Sequence, residues 1–172
     1  MTFDQIAIYT PDLMKQVNTY SNAGFSEWTF DVVTAVARVM RYATPHSSWD
    51  TVEFRAKLAF NYQLMDGVEY ELIAPFTSPN YIERMDTYPN HIAHLGVHVE
   101  DQEEWDLVKQ QLKVGDRILQ ECWTLDHENE AVPDDRSYRY AIFRSEVVPQ
   151  PVKLIMRVPR EDAIDAAREA GY

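Results

Sequence analysis

The chain is poor in cysteine, glycine and positive charge, and it has no long apolar run. A single cysteine, Cys122, among 172 residues excludes an internal disulfide and a thiolate zinc site. Cys122 lies in the apolar stretch LQECWTL and reads as a buried thiol rather than a nucleophile. With five glycines in all there is no Gly-rich phosphate loop, and no nucleotide motif is present. No segment reaches the roughly 18 consecutive apolar residues that mark a membrane span. The opening MTFDQIAIYT has no basic region and no signal-peptide core, so it reads as a strand and a cytoplasmic protein is expected. Lys and Arg number 16 against 28 Asp and Glu, for a net charge of −12. Such a chain repels phosphate backbones, which argues against a nucleic-acid partner. No Ser-His-Asp arrangement can be argued from spacing.

What is present is a strand-rich pattern. Hydrophobic residues make up 45% and aromatics 12%, enough for a core in one domain or in two small units that share one. Residues 3–9, FDQIAIY, predict a strand broken by Thr10-Pro11-Asp12. A helix follows over 12–22, with Leu13, Val17 and Tyr20 on one face and Gly24 after it. Long strands are expected over 28–41 and 52–65, separated by the loop ATPHSSWD. Asp66-Gly67 signals a hairpin into a strand over 68–74. Residues 75–90 carry prolines and connect two halves. The second half opens on IAHLGVHV at 92–99, followed by a helix over 101–113. That helix begins with the capping-box pair Asp101 and Glu104, and Trp105, Val108 and Leu112 form its apolar stripe. Further strands fall near 117–125, 138–144 and 152–158. A helix over 160–170 docks through Ala163, Ile164 and Ala167.

The order β-α-β-β-β thus occurs twice, and the two copies can be laid over one another. A shift of 89 residues brings Ile6-Ala7-Ile8 onto Leu95-Gly96-Val97 and Asp12 onto Asp101. A shift of 82 brings Glu71-Leu72-Ile73 onto Lys153-Leu154-Ile155. The chain is expected to be one α+β domain, 1–172, with module 1 at 1–75, module 2 at 91–158 and the C-terminal helix beyond.

Side chains alternate across a strand. If Ile6 and Ile8 pack under the first helix, Gln5, Ala7 and Tyr9 face the other way. In the fifth strand Leu95, Val97 and Val99 take the helix face, leaving His94, Gly96 and His98. The fourth strand leaves Glu69, Glu71 and Ile73 on that same side, and the last leaves Lys153, Ile155 and Arg157. Each half therefore puts polar residues on the face its helix does not cover, which points to a concave pocket.

FDQIAIYTPDL, VEYELIAPF and HIAHLGVHVED resemble the strand signatures of the vicinal oxygen chelate superfamily, which includes glyoxalase and bleomycin-resistance proteins. The likeness extends almost to residue 158. It implies two tandem βαβββ modules forming a cup-shaped mixed sheet around a divalent metal such as zinc or nickel. It also implies ligands from the first and last strand of each module, at Gln5, Glu71, His94 and position 153. The last is Lys153, where the pattern has glutamate, and a protonated ammonium cannot bind a cation. The extradiol dioxygenases use two histidines and a glutamate, a set this chain does not offer.

Three readings follow from the resemblance. One is a metal-free binding protein of the bleomycin-resistance kind, in which Lys153 and Glu71 pair across the cup. The second is a lyase or isomerase like glyoxalase I or methylmalonyl-CoA epimerase, with Gln5, Glu71 and His94 holding the metal, Glu69 available to complete it and Glu71 as base. The third is a metal-independent enzyme, in which a desolvated Lys153 or His94 moves the proton and Lys153 replaces the metal as electrophile. Tyr9 and His98 are the candidate ligand contacts, and a small molecule is the expected partner. Arg38, Arg41, Arg139, Arg144 and Arg157 are candidates for capturing a carboxylate or phosphate. His46, His91 and His127 are expected to be structural or solvated. A homodimer is expected because open sheet edges invite association, with the long strands of 28–65 reaching over a neighbour.

Overall fold

A computed structural model describes residues 2–40, 49–76, 91–114, 118–127 and 136–169. Its first half runs β1 (Gln5–Tyr9), α1 (Leu13–Asn22), β2 (Thr29–Met40), β3 (Trp49–Asn61) and β4 (Glu69–Pro75). Its second half runs β5 (Ile92–Val99), α2 (Gln102–Gln111), β6 (Ile118–His127), β7 (Arg136–Phe143), β8 (Val152–Pro159) and α3 (Arg160–Glu169). Arg41, His46, residues 77–90 and most of the acidic loop after His127 lie outside the described residues, as do the side chains of Arg38, Trp49 and His127.

Capping sets the two module helices. The Asp12 carboxylate accepts from the Lys15 amide at 3.0 Å, and Gly24, at φ +103°, follows the last turn. In α2 the Asp101 carboxylate accepts from the Glu104 amide at 2.9 Å. Glu104 reaches back to the Glu100 amide at 2.8 Å. Each helix then buries its apolar stripe on its own module. Leu13 and Val17 pack on Ile8 and Leu72, while Trp105 and Val108 pack on Val97, Val99 and Leu154. Helix α3 buries Ala163 and Ala167, with Ile164 half-buried.

The strands form one closed barrel in the order β1-β4-β3-β2-β6-β7-β8-β5. Within each module the first and last strands are parallel, β1 with β4 and β5 with β8. The modules join through two antiparallel pairs, β1 with β5 and β2 with β6. This closure removes the reasoning behind edge-driven association, because the sheet edges are satisfied within the chain. The long β2 and β3 pair with each other from Thr29↔Phe60 to Met40↔Trp49.

One boundary moves. The strand expected to run to residue 65 stops at Asn61. Its buried amide donates to the Glu27 carbonyl at 3.1 Å and accepts from the Gln63 and Leu64 amides at 2.9 Å each. A side chain that captures two backbone amides turns the chain out of the ladder. Asp66 and Gly67, at φ +47° and +89°, close a longer turn rather than a two-residue hairpin.

Candidate functional site

Inside the barrel, Ala7, Tyr9, Ala35, Ala56 and Cys122 belong to a packed apolar cluster. The remaining interior is a cavity of about 360 Å³. Two adjacent rows of the wall, read across the strands, explain its polar part. In one row Lys153 stands beside Gly96, Gly96 beside Gln5, and Gln5 beside Glu69. In the next, His94 stands beside Ala7, Ala7 beside Glu71, and Glu71 beside Phe60. The small residues at the centre of each row give the long polar side chains room to meet. A Cβ at Gly96 would lie 2.6 Å from both Cβ and Oε1 of Gln5, so the Gln5 side chain occupies the space that any other residue there would need.

The four positions named from the sequence converge. Gln5, Glu71, His94 and Lys153 are all buried. His94 Nε2 lies 3.1 Å from Gln5 Oε1 and 3.4 Å from Glu71 Oε2. Lys153 Nζ lies 3.6 Å from the same Glu71 oxygen and 4.8 Å from the centre of the Tyr140 ring. The Gln5 amide donates to Glu69 Oε1, and the Tyr62 hydroxyl donates to Glu69 Oε2 at 2.5 Å. Because His94 Nε2 faces two acceptors, it carries the ring proton, and buried Nδ1 has no hydrogen-bond partner among the described residues.

The charges follow from burial and neighbours. Burial alone pushes the Glu71 carboxyl up, but the Lys153 charge and the His94 contact outweigh it and hold Glu71 below the usual carboxylate range. Burial, and then Lys153, lower His94 to about 4, against the opposing pull of Glu71. Near neutral pH the floor therefore holds a carboxylate, an ammonium and an uncharged imidazole. Burial and the Glu69 hydrogen bond push the Tyr62 hydroxyl up. Burial pushes the Cys122 thiol up to about 12, which makes it inert.

The structure places the remaining candidates differently from one another. His98 is exposed at the cavity mouth, with Nδ1 3.0 Å from Asp4 Oδ1. Tyr9 is not among the residues that line the cavity; it is buried in the apolar cluster whose other members include Phe54, Ile73 and Tyr140 of the cavity wall. Arg139 points to the helix side, over Trp105 at 4.6 Å and bonded to Glu121 and Gln102. Arg144 and His91 are exposed and do not line the cavity, whereas Arg157 does. Several lining residues escaped the sequence reading: Asp31 on β2, Phe54 and Phe60 on β3, Tyr138 and Tyr140 on β7, and Tyr62 in the turn. Alternation within β2, β3 and β7 carries a signal for all but Tyr62, once one inward residue on each strand is known.

Three donors thus meet at one point, and an ammonium stands against the carboxylate among them. Among the described residues no three His, Cys, Asp or Glu form a group suited to a metal. A divalent ion there would keep Gln5, Glu71 and His94 but face a second positive charge a few ångströms away. The donor set does not fit such an ion.

The two-module barrel is a fold shared with solved proteins. Solved structures similar to it include methylmalonyl-CoA epimerases. A variant from Streptomyces coelicolor, in complex with 2-nitronate-propionyl-CoA, matches with TM-score 0.51 and 13% identity over 91% of this chain and 94% of that one. The enzyme from Mycobacterium tuberculosis matches with TM-score 0.50 and 14% identity over 93% of this chain and 90% of that one. The sequence matches no protein-family model and no curated protein. At these identities the likeness is one of fold.

Proposed function

We propose that this protein binds a small organic molecule in its cup without a metal ion, with Lys153 as the built-in positive charge. The buried Lys153–Glu71 pair at 3.6 Å carries this reading. A buried charge needs a partner, and here each supplies the other's. An ammonium has three donor hydrogens, so Lys153 retains donors for a carbonyl or hydroxyl oxygen on the ligand. Phe54, Leu58, Phe60 and Ile73 line the cavity beside this floor and suit an apolar body.

Binding is favoured over proton transfer by the titration of the floor. A base that removes a proton near neutral pH works best with a pKa near that pH. Glu71 is held below its ordinary range and His94 is lowered to about 4, so both are weak bases. The test is metal content of the purified, untagged protein by mass spectrometry, with zinc, nickel, cobalt and manganese titrations. The expected result is substoichiometric metal and no saturable uptake. Stoichiometric metal would overturn the metal-free reading. Turnover of glutathione hemithioacetals or of acyl-CoA epimers would overturn the binding-only reading.

A further inference from the structure

We infer that Arg157, at the mouth of the cup, anchors an anionic end of the ligand. The cup then takes an amphiphile with an uncharged polar head, an apolar or aromatic body and one oxyanion such as a carboxylate or sulfonate. This deepens the binding reading above and rests on it.

The argument begins with one wall. Strand β8 turns Lys153, Ile155 and Arg157 to the cavity, and β7 sets Ile142, Tyr140 and Tyr138 beside them in register. The two cations of β8 are each placed near a tyrosine ring, Lys153 by Tyr140 at 4.8 Å and Arg157 by Tyr138 at 5.8 Å. Their electrostatic situations are opposite. Lys153 is buried and faces Glu71. Arg157 is exposed, and among the described residues it pairs with no carboxylate.

That asymmetry orders the ligand. A negative head at the floor would meet Glu71 and Glu69, whose charges lie beside Lys153 and Gln5. The floor therefore disfavours an anion and accepts an uncharged oxygen. At the mouth a guanidinium fork is available for bidentate pairing with an oxyanion. Four residues of strand separate the two cations, about 13 Å at roughly 3.3 Å per residue. The chain carries a net charge of −12, so its overall field opposes anion binding. Capture of an anion must come from a local cation.

Two dyes that share a ring system test this. Anilinonaphthalene sulfonate carries the anion, and phenylnaphthylamine lacks it. Fluorescence titration of the whole chain is expected to show the sulfonate dye binding more tightly. Arg157→Ala should weaken the sulfonate dye roughly tenfold to a hundredfold, the range of a charge-assisted hydrogen bond, and leave the uncharged dye unchanged. Arg157→Lys should recover part of the loss. Lys57→Ala, in the shallow groove beside α1 that also contains Met14 and Phe30, should change neither.

Equal weakening of both dyes by Arg157→Ala would assign Arg157 a packing role and overturn the inference. So would an unchanged sulfonate affinity, tighter binding of the uncharged dye, or a loss produced by Lys57→Ala instead. If neither dye binds, the cup reading itself falls, and this inference with it.

Discussion

Replacing Lys153 with methionine removes the positive charge that faces Glu71 while keeping an unbranched chain of similar length. In the wild type the Glu71 carboxylate is almost wholly buried, and Lys153 is its one fully charged partner among the described residues, since His94 is lowered to about 4. The variant leaves that carboxylate buried and uncompensated, which costs about 3–5 kcal/mol. For a chain of this size the melting temperature falls roughly 2–4 °C per kcal/mol, so a drop of about 6–20 °C is expected. Thermal unfolding at pH 7 measures the drop, and urea unfolding the free-energy loss. The pH dependence adds a second check. A carboxyl with a depressed folded pKa contributes stability above its unfolded pKa and loses it as pH falls through the folded value. The difference between wild type and variant should therefore shrink in acid, as Glu71 takes up a proton. The variant should also raise the His94 pKa, because Lys153 is one of the two causes lowering it, and the imidazole proton shifts in NMR report that directly. A loss below about 1 kcal/mol, the scale of an exposed pair, with His94 unmoved, would refute the claim that the two charges are locked together.

Other predictions concern the same floor. Lys153→Glu replaces the positive charge beside Glu71 with a carboxylate, so calorimetric titration with zinc or nickel should show saturable binding near one ion per chain; its failure would mean that Gln5, Glu71 and His94 cannot form a latent site. Folded His94 stays neutral to about 4 while an unfolded histidine protonates near 6.5, so acidification over that range should cost the wild type roughly 3 kcal/mol that His94→Asn does not lose. Parallel pH–stability curves for the two proteins would contradict it. Gly96→Ala drives a methyl into the Gln5 side chain at 2.6 Å; unfolding experiments should show a loss of about 1–3 kcal/mol, and an unperturbed stability would show that Gln5 moves aside freely.

The inward and outward faces of β1, β4, β5 and β8 were legible from alternation alone. Ile8 and Leu72 do pack under α1, and Val97 and Leu154 under α2, leaving Gln5, Glu71, His94 and Lys153 to the interior. The duplication was legible because two βαβββ units repeat the same local signals, down to the capping residues Asp12 and Asp101. The premature end of β3 was not. The strand propensity of the segment runs past Asn61, and only its side-chain bonds to Gln63 and Leu64 decide the turn. The expectation for Tyr9 also met a limit of pattern reading. Alternation puts it inside the barrel, but alternation cannot tell which inward residues border a cavity, and Tyr9 is not among those that line it.

By itself, then, the sequence determined the elements, their order and which residues turn away from the helices, because these depend on periods of two and of 3.6 residues along one segment. Closure of the barrel through β1 with β5 and β2 with β6 depends on pairing between segments far apart in the chain. So does the meeting of Lys153 with Glu71 at 3.6 Å, since it needs three inter-strand registers, β8 with β5, β5 with β1 and β1 with β4, and a glycine at position 96 between them. The protonation of the floor was decided last of all, because a pKa responds to burial and to the charge across the cavity, and neither is a property of one strand.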